Sequence, residues 1–83
     1  MKTTTTDGLT LSQFNSLVEA AEVYLASIYS DFCTLRQEMW ATPASDEDYT
    51  TIVADVRVLG RMAEAQRRHV STLRAEWNQA IAA

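Results

Sequence analysis

The chain is predicted to be all-α: an antiparallel two-helix hairpin that pairs with a second copy into a four-helix bundle. Three observations carry this. Apolar residues at Leu11, Phe14, Val18, Ala21, Leu25, Ile28, Phe32, Leu35 and Met39 alternate in steps of three and four, which only a helix turns into one stripe. A second stripe of the same spacing runs through Tyr49, Ile52, Val56, Leu59, Ala63, Gln66, Val70, Leu73, Trp77 and Ala80. Between them lies a short connection holding the only proline, Pro43, and short connections favour antiparallel neighbours.

The elements follow in order. Residues 1–8, with a threonine run between Lys2 and the turn pair Asp7-Gly8, read as a flexible polar tail without the apolar core of a signal peptide. Residues 9–83 form the single domain. Thr10 has Gln13 three residues on, the spacing of a capping box, and Leu9 and Phe14 stand where a hydrophobic staple would stand. The first helix is expected over about residues 11–40, roughly 45 Å long, and is stopped because Thr42 precedes a proline. A turn over residues 41–45 follows. Ser45, with Asp48 three residues later, is the expected cap of the second helix, and Asp46, Glu47 and Asp48 suit its positive dipole end. That helix is expected over about residues 46–80.

Folding the hairpin places Ile28 near Leu59, Leu25 near Ala63 and Val18 near Val70, with large residues tending to face small ones in the middle of the seam, as at Leu25 and Ala63. Gln66 is the polar exception in the seam, where such a residue either pins register or turns its amide outward past Ala21. Gly60 lies beside the seam, a position that suits close approach of a helix, although glycine costs a helix about 1 kcal/mol relative to alanine.

Charge is unevenly spread. Lys2 and Arg36 face eight carboxylates in residues 1–48, a net −6, whereas residues 49–83 carry five arginines and three carboxylates, a net +2. Helices of opposite charge packed side by side attract each other modestly. Overall the chain is at −4, which argues against binding to phosphate backbones and makes nucleic acid a disfavoured partner. The longest apolar-looking stretch, residues 17–29, is interrupted by Glu19 and Glu22 and is too short for a bilayer, so no membrane contact is expected. Cys33 is the only cysteine, consistent with a reducing, cytoplasmic location, and is expected as a small buried or half-buried packing residue.

No motif for chemistry emerges. His69 is the only histidine, and no spacing of Cys, His or carboxylates matches a metal site. No glycine-rich loop could cradle a phosphate. No catalytic, cofactor or metal residues are assigned, and the chain is expected not to be an enzyme.

The apolar surplus outside the two stripes points instead to partners. Leu17, Val53, Gly60, Met62 and Ile81 are assigned to the interface of a homodimer, the commonest closed assembly. Tyr24, Tyr29, Trp40, Arg61 and Arg68 are assigned to contact with a protein target, because aromatic residues and arginine dominate binding surfaces. The expected function is a small non-enzymatic modulator, an inhibitor or adaptor. The alternatives are a nucleic-acid-directed protein, acting through the arginines of the second helix or through acidic mimicry by the first, and a structural subunit or co-chaperone. In length and helix count the layout resembles small co-chaperones of secretion systems and short phage proteins that seize a host regulator. That resemblance implies no residue roles.

Overall fold

A computed structural model describes residues 8–82. Two helices, α1 (Leu11–Ala41) and α2 (Tyr49–Ala82), pack along their length as a hairpin with extents of 60 × 17 × 14 Å. They are antiparallel, since the start of α1 meets the end of α2: the rings of Phe14 and Trp77 stack with centroids 5.9 Å apart. The segment expected as a flexible tail lies outside the described residues except for Gly8, whose φ of +81° uses the left-handed region open to glycine.

The start of α1 follows its local signals. The Thr10 hydroxyl accepts from the Gln13 amide at 3.1 Å, and the Gln13 side chain accepts from the Thr10 amide at 2.9 Å. Leu9 packs against the cluster that contains Phe14, as a staple does. At the other end Thr42 is extended, as a residue before proline prefers, and its hydroxyl donates to the Glu38 carbonyl at 2.7 Å.

The start of α2 is a correction. The expected cap at Ser45 does not form, and the helix begins at Tyr49, not 46. Single turns close from Asp46 N–H to the Pro43 carbonyl and from Tyr49 N–H to the Asp46 carbonyl. The Asp46 carboxylate accepts from the Asp48 amide at 2.8 Å, an Asx turn that gives the backbone an alternative to the helix. The acidic residues therefore build the connection and do not occupy the first helical turn.

The core is small and lies toward the open end of the hairpin. Phe14, Val18, Ala21, Val70 and Leu73 form one buried cluster, with Leu9, Leu25 and Trp77 packed on it. In the half nearer the turn, Ile28 and Ile52 are buried, while Phe32, Leu35 and Met39 are only half-buried. Gln66 is half-buried and spans the seam, its amide donating to the Ala21 carbonyl at 3.1 Å. At Gly60 an added Cβ would stand 3.4 Å from the Phe32 ring, so a side chain of the facing helix covers this position. Cys33 is exposed, which corrects the expectation of a packing residue. It lies one position past Phe32, outside the arc that the seam covers.

Candidate protein-binding face

In an antiparallel helix pair, the positions beside the seam recur every seven residues and form a row along each side of each helix. On one side, Glu22, Tyr29 and Arg36 of α1 run alongside Val53, Gly60, Arg67, Arg74 and Ile81 of α2. On the other, Leu17, Tyr24, Asp31 and Glu38 run alongside Asp55, Met62, His69 and Glu76.

The first side contains an open groove of about 410 Å³ between the helices. Leu25, Ala26, Tyr29 and Val70 give it an apolar floor, and Glu22, Arg67, Ser71 and Arg74 its polar rim. The rim is internally compensated. Arg74 pairs with Glu22 across the seam, the one ion pair joining the helices among the described residues. Arg67 forms a two-pronged contact with Glu64, at 2.6 and 3.0 Å, and Arg68 adds a third contact at 3.3 Å.

The Arg67 hydrogen bond holds the Glu64 carboxyl well below its usual range, at about 2; desolvation opposes it, and the charges of Arg67 and Arg68 add to the lowering. Its folded value is depressed, so its contribution to stability is complete above about 4.5 and is lost as pH falls toward about 2. Both partners are solvent-exposed, so the effect is screened and small. Thermal unfolding followed by circular dichroism should show wild type more stable than Glu64→Gln at pH 6. The gap should close by pH 2, and a gap that widened in acid would contradict the pairing.

Toward the turn the same side carries an aromatic and cationic ladder. The Arg36 guanidinium stands 5.3 Å from the Phe32 ring centroid and 4.9 Å from that of Trp40. The guanidinium thus lies against both rings, a cation–π contact that favours this placement of Trp40, which is 68% exposed. The Nε of Arg36 is buried without a hydrogen-bond partner, and Arg36 forms no salt bridge among the described residues. Sequence reasoning passed over Arg36, although the spacing Phe32, Arg36, Trp40 at steps of four was available to find it.

The assigned contact residues divide three ways. Tyr29 and Trp40 share the groove side, Tyr24 lies on the opposite side, and Arg61 and Arg68 point outward from α2. The residues assigned to a dimer interface also divide. Leu17 and Met62 are exposed on the side opposite the groove. Val53, Gly60 and Ile81 belong to the groove side, where Val53 is half-buried and not exposed as expected, and Gly60 is occupied by Phe32 of its own chain.

Among the described residues there is no group of His, Cys, Asp and Glu that could hold a metal ion, and neither helix is long and apolar enough to cross a membrane. No protein-family model, curated protein or solved structure matches the chain.

Proposed function

We propose that this chain is a non-enzymatic protein-binding module, an inhibitor or adaptor, that pairs with a second copy and engages its target through the groove side. The observation that supports it is Trp40, a large aromatic side chain left in solvent with the Arg36 guanidinium 4.9 Å from its ring centroid. An exposed tryptophan beside an arginine is the kind of pair that dominates protein interfaces. Tyr29 continues the same side into the groove. Cys33, exposed as a free thiol, fits a reducing cytoplasmic setting. The arginines give limited support to a nucleic-acid reading, because Arg74 pairs with Glu22 and Arg67 and Arg68 share Glu64, which leaves Arg57 and Arg61 as the arginines of α2 without a carboxylate partner among the described residues.

Pairing is supported by how much apolar surface one hairpin leaves uncovered. Leu17, Val23, Tyr24, Tyr29, Trp40, Val58, Met62 and Ile81 are each at least 40% exposed. A second hairpin completing a four-helix bundle would cover part of this surface.

The test uses the purified chain as bait, with proteins retained by wild type quantified beside those retained by Tyr29→Ala and Trp40→Ala. Each substitution is expected to weaken the target by about 10- to 100-fold. Helicity should be unchanged, because both side chains are exposed. Full retention by both variants at wild-type helicity would remove the groove side as the contact.

A further inference from the structure

We infer that the second copy docks antiparallel on the open half of the side opposite the groove, so that the two turns point away from each other. This rests on the proposed pairing and adds its surface and orientation.

Leu17, Tyr24 and Met62, exposed at 44%, 52% and 40%, lie on that side in the half away from the turn. Nearer the turn the same rows hold Asp31, Glu38 and Asp55, against Glu76 alone in the open half, and none of these carboxylates has a cationic partner among the described residues. The imbalance extends to the whole rod. Residues 31–57 contain six carboxylates and two arginines, a net −4, whereas residues 9–30 and 58–82 contain four of each, a net of zero. All of the chain's net charge therefore sits in the turn half.

A parallel pair would press two such halves together, within the roughly 8–10 Å over which like charges still repel in physiological salt. An antiparallel pair overlapping only in the open halves brings the less charged ends of these rows into contact and carries the charged turns to opposite ends. A two-fold axis between Leu17 and Tyr24 sets Leu17 of one copy against Tyr24 of the other. This is the self-complementary contact that a closed dimer needs. It leaves the groove side clear for a target.

The native thiol provides the measurement. Cys33 is the only cysteine and is exposed, so the full chain takes one nitroxide label per copy. Cys33 lies about twelve residues from the axis, roughly 19 Å at the helical rise of about 1.5 Å per residue, so two labels should be about 45 Å apart once the width of the bundle is added. Pulsed electron spin resonance on the dimer is expected to return that distance. A distance of about 25 Å, as in a parallel pair, would overturn the orientation while leaving pairing intact. A chain whose solution mass stays monomeric would overturn both. Leu17→Glu should give a helical monomer and Val23→Ser an unchanged dimer, whereas a dimer unaffected by Leu17→Glu would place the interface elsewhere.

Discussion

Replacing Phe14 with alanine is expected to destabilise the hairpin by about 3–5 kcal/mol, the usual cost of deleting a buried aromatic side chain. Phe14 is the largest fully buried side chain and is at the centre of the cluster with Val18, Ala21, Val70 and Leu73. It also stacks on Trp77, with 30° between the ring planes, so its loss removes both the burial and the pairing. Two helices have few neighbours with which to close the resulting cavity. Stabilities of roughly 0.05–0.15 kcal/mol per residue put the whole chain in the range of about 4–12 kcal/mol, so this one substitution takes a large share. Urea denaturation followed by helical signal is the check. A loss below about 1 kcal/mol would mean that the cluster is not the core that holds the helices together.

The seam was legible in the sequence because a helix converts three- and four-residue spacing directly into a face, and Phe14, Val18, Ala21, Ile28, Ile52, Ala63, Val70 and Leu73 are all buried. The start of α1 was legible for a similar reason, since Thr10 and Gln13 interact within one turn. The start of α2 was not. Ser45 and Asp46 can both cap, and the choice went to an Asx turn at Asp46 that spacing does not distinguish from a helix cap. The candidate site was legible only residue by residue. Tyr29 and Trp40 were identified as exposed aromatics, but assigning them to one side and Tyr24 to the other needs the seam to be fixed first. The role of Arg36 needs in addition the rotamer that lays its guanidinium on two rings. Gly60 shows the same limit, because its place beside the seam was legible and the neighbour that covers it, Phe32 of the same chain, was not.

Gln66 carries the second large effect, and its sign depends on what replaces it. Glutamate at this position is expected to cost about 1–3 kcal/mol or more at pH 7, because a carboxylate would face the Ala21 carbonyl where the amide now donates at 3.1 Å. Two acceptors would then confront each other in a half-buried seam, and the charge would also be partly desolvated. Leucine should stay within about 1 kcal/mol of wild type, since it replaces the amide with apolar volume and the Ala21 carbonyl still accepts its own helical hydrogen bond. What leucine removes is directional. The amide reaches one particular carbonyl on the opposite helix, and a purely apolar seam could slide by a turn with less penalty. The leucine variant should therefore unfold near the wild-type midpoint yet show broader backbone amide resonances. The glutamate variant should recover stability as acid protonates the new carboxyl, because burial beside a carbonyl raises its folded pKa: the penalty shrinks as pH falls through that raised value and is gone only below the ordinary glutamate value of about 4.3. Equal stability of the glutamate and glutamine chains at pH 7 would show that residue 66 turns away from Ala21 and plays no part in setting the register of the hairpin.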